Sequence, residues 1–135
     1  MAKKNIATFV GPNQGLSIAG DYAYAYSGTV ASTTGNQTLL EFTTGKEFIV
    51  GKITTAGSIP NNGGGVANGD ITAFTLSFNG LEITRMKTET TQEDSPTYST
   101  YPLLIPPHTA VKLIVLSSGT NGSTSAIIVG RIYNA

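Results

Sequence analysis

The sequence predicts an all-β fold, an antiparallel sandwich or barrel of eight strands, on three observations. No window of about 11–18 residues carries the 3.6-residue apolar period of a helix. Apolar and polar residues instead alternate with period two between turns rich in glycine and asparagine. The abundant Thr, Val, Ile, Tyr and Phe suit a pleated, half-buried surface better than a helix.

Residues 1–20 hold no long pattern and are expected to form an N-terminal arm, with a short edge strand near Ile6–Val10; residues 21–135 then form the sandwich domain. The first strand spans roughly Tyr22–Ser32, with Tyr22, Tyr24 and Tyr26 on one face and Ala23, Ala25 and Ser27 on the other. Thr33-Thr34-Gly35-Asn36 turns the chain into a second strand, Gln37–Thr44, and Thr44-Gly45-Lys46 turns it into a third, Glu47–Thr55. Gly57–Gly69, with its run Pro60-Asn61-Asn62-Gly63-Gly64-Gly65, is a loop because such a run holds a ladder only at high entropic cost.

Ile71–Phe78 and Leu81–Thr90 flank Asn79-Gly80, the pair that a type I′ hairpin turn prefers. An unbroken register sets Phe78 opposite Leu81, Leu76 opposite Ile83 and Phe74 opposite Arg85, with the polar stretch Lys87 to Asp94 reaching solvent. A sixth strand, Tyr98–Leu104, ends before Pro106-Pro107. The seventh, Ala110–Ser117, and the eighth, Ser125–Tyr133, are almost continuously apolar and are expected to be central, with both faces covered.

The chain has 135 residues, enough for one domain. Only 12% are charged, about half the usual share of ~25%, so the polar surface must come from Ser, Thr, Asn and Gly. Soluble sandwiches guard their edges with charge, proline or bulges. With so little charge, some edges or faces here are expected to be covered by partner chains. Eight basic residues balance eight acidic ones, which argues against a nucleic-acid partner. No apolar run approaches the roughly 18 residues that span a bilayer, so no membrane partner is expected. Lys3 and Lys4 precede an apolar stretch too short for a secretory signal, so synthesis in a cytoplasm without export is expected.

Few residues suit catalysis, and neither an enzymatic activity nor a cofactor is expected. Zero cysteines exclude disulfides, thiolate metal sites and cysteine nucleophiles. His108, the lone histidine, sits beside Pro106-Pro107 without a nucleophile elbow anywhere in the chain, and its simplest role is that of a turn residue. Glu41, Glu47, Glu82, Glu89, Glu93 and Asp94 are scattered rather than paired as a glycosidase requires. Asp21, Asp70 and Asp94 lie in no calcium-loop pattern, and Gly63-Gly64-Gly65 lacks the Lys-Ser/Thr and helix of a phosphate loop.

Two features suggest contact surfaces. The row Tyr22, Tyr24 and Tyr26 could pack a subunit interface, stack sugars or bases, or simply rest on neighbouring strands. Lys3, Lys4, Ile6 and Phe9 combine charge with apolar anchors, and such an arm could add a strand to a neighbour.

The block Tyr26-Ser27-Gly28-Thr29-Val30, the block Leu39 to Ile53, and the proline corner Tyr101-Pro102-Leu103-Leu104-Ile105-Pro106-Pro107-His108-Thr109-Ala110-Val111-Lys112-Leu113 resemble small jelly-roll structural proteins of tailed bacterial viruses. These include head decoration, or cement, proteins. The resemblance covers roughly residues 22–133. It implies an eight-stranded antiparallel β-sandwich of jelly-roll type and a capsid decoration protein on the outer surface of a virion. It also implies that the protein binds the major capsid protein across capsomers and assembles with itself as a homotrimer. A carbohydrate-binding β-sandwich of a fibre or tail is the alternative.

Overall fold

The computed structural model describes residues 15–31, 35–58, 71–89, 97–117 and 123–134. Ten strands occur there: β1 (Ser17–Ala19), β2 (Tyr22–Tyr26), β3 (Val30–Ala31), β4 (Gly35–Thr43), β5 (Glu47–Ser58), β6 (Ile71–Phe78), β7 (Leu81–Glu89), β8 (Thr97–Ile105), β9 (Ala110–Ser117) and β10 (Ser123–Asn134). The eight long ones form two four-stranded layers, β2-β10-β5-β8 and β4-β9-β6-β7. The antiparallel pairs β2–β10, β4–β9, β5–β8 and β6–β7 nest around one another, which is the rolled-up order of a jelly roll. The short strands β1 and β3 extend the first layer, beside β2 and β10 respectively.

β1 falls within the residues expected to be arm. The edge strand expected near Ile6–Val10 lies outside the described residues. The single strand expected over Tyr22–Ser32 is interrupted. After Tyr26 the chain is held by Ser27, whose N–H donates to the Ala126 carbonyl (3.0 Å) and whose Oγ accepts from the Ala126 N–H (2.8 Å). Gly28, at φ 71°, then redirects the backbone before β3 rejoins β10. β5 continues to Ser58, and the rest of the expected Gly57–Gly69 loop lies outside the described residues.

The Asn79-Gly80 turn forms as expected, with both residues at positive φ. The register beyond it differs from expectation. Phe78 does oppose Leu81, but a shift between Leu76 and Ser77 sets Leu76 opposite Thr84 and Phe74 opposite Met86. One extra residue exchanges the faces of everything beyond it. Met86 is therefore buried, whereas Ile83 is exposed and Arg85 reaches out to Glu82 at 2.8 Å. A similar shift in β4, between Thr38 and Leu40, lets the adjacent Leu39 and Leu40 both enter the core.

The core lies between the sheets, and its bulk comes unequally from them. The second sheet contributes Leu39, Leu40, Phe42, Phe74, Leu76, Leu113 and Val115; in the first sheet, β5, β8 and β10 contribute Ile49, Ile53, Ile105 and Ile128, while β2 and the rest of β10 contribute only Ala23, Ala25, Ala126 and Gly130. Gly51 of β5 stands opposite Gly130. A Cβ on Gly130 would meet the Ile49 side chain at 2.7 Å and the Val50 carbonyl at 2.8 Å, and one on Gly51 would overlap the Val129 carbonyl. These two strands can approach this closely only with glycine at both places.

One end of the roll is tied by turns that bond to each other. The buried Thr44 hydroxyl donates to the Pro106 carbonyl (2.8 Å) and accepts from the Thr109 N–H (2.9 Å). The Asn79 side chain accepts from the Ala110 N–H (2.8 Å), and the His108 N–H donates to Gly45 (2.8 Å). The connections at the other end run through residues 32–34, 59–70, 90–96 and 118–122, outside the described residues.

Two hydroxyls are expected to respond oppositely to the same substitution. Thr44→Val strands the Thr109 N–H and should lower the stability measured by urea unfolding by about 1–3 kcal/mol. Thr124 Oγ1 is buried with no hydrogen-bond partner. Thr124→Val removes that unmet group while keeping its shape, and should raise stability by about 1 kcal/mol.

Candidate functional site

Along β2 the first sheet turns its larger side chains away from the core, while Ile49, Ile53, Ile105 and Ile128 of β5, β8 and β10 point into it. In β2, Ala23 and Ala25 point inward while Tyr22 and Tyr26 are exposed, at 53% and 47%, and Tyr24 is half-buried. In β10, Ala126, Ile128 and Gly130 point inward while Ile127, Val129 and Tyr133 are exposed. The strand registers assemble these outward residues into rows. Tyr24 neighbours Val129, which neighbours Lys52 and then Pro102; Tyr22 neighbours Arg131, then Val50, then Leu104. Tyr26, Ile127, Thr54 and Thr100 form a third row, in which the Thr54 and Thr100 hydroxyls lie 3.0 Å apart.

At ~4.8 Å per strand this face is roughly 20 Å wide, and its three rows give an apolar area on the order of 400–500 Å². A patch of that size matches the largest found on ordinary monomers, where it often marks a contact site. Its rings are ordered by one another. Tyr24 and Tyr26 lie 4.9 Å apart and tilted, Phe48 and Tyr133 stack at 5.6 Å, and the Arg131 guanidinium sits 5.3 Å from the Tyr22 ring centre. Lys52 and Arg131 give the face its charge, and no carboxylate occupies an outward position of this sheet among the described residues.

The outer face of the second sheet has the usual character of a solvated surface. Glu41 lies opposite Lys112, Lys112 opposite Ser77 and Ser77 opposite Glu82, which pairs with Arg85. Near the tied end, a hollow of about 860 Å³ is lined by Leu16, Ile18, Phe42 and Val111, with Glu41 and Glu47 accompanied by Lys46 and Lys112. Among the described residues no group of three or more His, Cys, Asp and Glu could hold a metal ion. His108 is an exposed turn residue at φ 52°.

Of the residues singled out in the sequence, Tyr22, Tyr24 and Tyr26 come together on this face. Lys3, Lys4, Ile6 and Phe9 lie outside the described residues, as do Asp70, Glu93 and Asp94. Sequence reasoning missed Val50, Lys52, Leu104, Ile127, Val129, Arg131 and Tyr133. It also expected β9 and β10 to be covered on both faces. Both strands are central, but Ile127, Val129 and Leu116 stand open to solvent. A long apolar run shows that a strand has two apolar faces; it does not show that the same chain supplies both covers. The alternation of Tyr with Ala in β2 carried the missing signal, because it puts the smaller residues on the face that packs inward.

No family model and no curated protein matches this chain. Among solved structures the chain is similar to TmCBM61, solved in complex with β-1,4-galactotriose, at 13% identity and TM-score 0.39, covering 84% of this chain and 63% of that one. It is similar to VP2 in the infectious bursal disease virus subviral particle, at 13% identity and TM-score 0.46, covering 96% and 37%. It is also similar to latent PorU from Porphyromonas gingivalis, at 14% identity and TM-score 0.43, covering 82% and 11%. The chain thus spans under two thirds of the first protein and little more than a third of the second.

The packing of β2 and β10 predicts opposite mutational responses on their two faces. Val129→Thr should change stability by no more than about 0.5 kcal/mol. Ala25→Leu, on the neighbouring strand but facing inward, should cost about 1–3 kcal/mol by overpacking. Thermal unfolding of the two variants checks this.

Proposed function

We propose that this chain is a non-enzymatic virion structural protein, a decoration or cement protein that settles on the outer capsid by the outward face of its first sheet. One observation carries the reading: the outward face of the sheet presents Tyr22, Tyr26, Val50, Leu104, Ile127 and Val129 to solvent. A free monomer gains nothing from that arrangement, whereas a protein that ends its life against another surface buries it. At about 25 cal/mol per Å² the patch offers roughly 10 kcal/mol gross, before the ordering costs of association are met. The resemblance to jelly-roll decoration proteins points to the major capsid protein as the partner. Lys52 and Arg131 ask of that partner an apolar surface bearing carboxylates.

Flat aromatic faces also bind sugars, but the Tyr24 and Tyr26 rings lean on each other at 36° instead of lying coplanar as a stacking platform. The test is co-sedimentation with empty shells of the major capsid protein encoded in the same genome. Wild-type protein should pellet with the shells and saturate at a fixed ratio per capsomer, and Val129→Glu should weaken binding at least tenfold. Failure to saturate would overturn the reading. So would glycan-array binding that is saturable and lost in Tyr24→Ala, which would make the chain a carbohydrate-binding module.

A further inference from the structure

The sequence contains four Asn-Gly pairs, Asn62-Gly63, Asn68-Gly69, Asn79-Gly80 and Asn121-Gly122. A glycine after asparagine leaves its peptide nitrogen unshielded by any side chain, and that nitrogen can attack the asparagine's own amide carbon. This is one reaction that makes asparagine heat-labile. Asn79-Gly80 lies among the described residues, and the other three pairs lie outside them. Both of its residues are exposed, and a Cβ built on Gly80 meets nothing within 4 Å, so water and base reach the pair freely. Exposure favours reaction, but the hydrogen bonds of the turn oppose it. Ala110 holds Asn79 at two points: the Asn79 N–H donates to the Ala110 carbonyl (2.8 Å), and the Ala110 N–H donates to Asn79 Oδ1 (2.8 Å). While Oδ1 is tied to β9, the amide carbon cannot swing onto the Gly80 nitrogen. The positive φ of both residues fixes that nitrogen within the tight turn.

We propose that Asn79 is a modification site, a site of spontaneous deamidation that is latched by Ala110 and released when the turns at the tied end part locally. The chemistry needs only water. The Gly80 nitrogen gives up its proton to base and attacks Asn79 Cγ. The Cγ–Nδ2 bond then breaks, and Nδ2 leaves as ammonia with a proton from solvent. The product is a five-membered cyclic imide. Water adds to either imide carbonyl, and the ring nitrogen leaves and takes up a proton. Opening at Cγ gives an aspartate in an ordinary backbone. Opening at the main-chain carbonyl gives an isoaspartate, whose main chain runs through the former side chain. An amide nitrogen is exchanged for an oxygen, and nothing is oxidised or reduced.

The two products differ in effect. The aspartate keeps an oxygen for the Ala110 N–H and adds a negative charge at the tied end. The isoaspartate adds a carbon to the main chain of a two-residue turn, beside the register shift at Leu76 and Ser77. The longer turn misaligns Phe78 with Leu81 and draws the carboxylate away from Ala110, so the latch does not close again. Each conversion is therefore a permanent record of one opening. Opening does not require unfolding. Thr44 Oγ1 accepts from the N–H of Thr109, the residue before Ala110, so losing that bond frees the β9 side of the latch while the core stays packed. The device lies at a turn and not on the outward face of the first sheet, so it stands or falls independently of shell docking.

Peptide mass spectrometry after incubation in mildly alkaline buffer reads conversion at each pair as a gain of one mass unit. In urea all four pairs should convert at like rates, because the same dipeptide is then equally open in each. In the native protein Asn79 should convert at least tenfold more slowly than in urea. Ala110→Pro removes the N–H that holds Oδ1, at the first residue of a strand, where proline is tolerated. With native circular dichroism, this variant should convert Asn79 at least tenfold faster than wild type; if it does not fold, Thr44→Val decides. Thr44→Val should speed native conversion at Asn79 several-fold. Ala25→Leu, of similar destabilising effect but in the other sheet, should leave it unchanged. Native conversion as fast as in urea would overturn the latch, as would a folded Ala110→Pro with the wild-type rate. Equal acceleration by Thr44→Val and Ala25→Leu would overturn local release, because only global unfolding would then expose the pair.

Discussion

How small the inward side chains are where β2, β10 and β5 run together shapes both faces of the first sheet. Ala23, Ala25, Ala126, Gly51 and Gly130 leave space between the layers there, which Ile49, Ile53, Ile105 and Ile128 of the same sheet fill only in part. The second sheet fills it with leucine and phenylalanine, and its two register shifts serve that end by delivering Leu39, Leu40 and Met86 to the interior. Since each strand residue faces one side or the other, the rings excluded from a narrow interior have only the outside left. The core and the open face are one decision about where volume goes.

The same decision gives the molecule a front and a back. The outer surface of the second sheet carries Glu41, Lys112, Glu82 and Arg85, the last two paired, beside the exposed Ile83 and Leu116. The outer surface of the first sheet carries ten apolar or aromatic groups for two cations. A body so divided has a preferred orientation at any interface between a protein surface and water, with the charged layer toward the water. The hydrogen-bonded turns around Thr44 and Asn79 keep one end of the roll stiff, so the face is presented with little ordering left to do on contact.

Local chemistry explains which parts of this were legible in the sequence. Strands Ile71–Phe78 and Ala110–Ser117 have the bounds expected of them, because alternation and turn residues act within a few positions of each other. The Asn79-Gly80 turn was visible for the same reason. The shift two residues before it was not, since a bulge is settled by which side chain the opposite sheet can bury. That choice took Met86 over Arg85. The site divided likewise. The tyrosine row could be read from one strand, but its neighbours Val129, Lys52 and Pro102 come from three others, and only the strand order β2-β10-β5-β8 makes them adjacent. The early break of the first strand at Ser27 follows from a bond to Ala126, 99 residues along the chain.

Low charge and an open face are liabilities in a free protein, and each favours uncontrolled association. They become useful together when the neighbours are fixed by an ordered array. A contact of a few hundred Å² is too weak to hold two molecules in dilute solution. Repeated across a shell, where neighbours stand at high effective concentration, it holds them firmly.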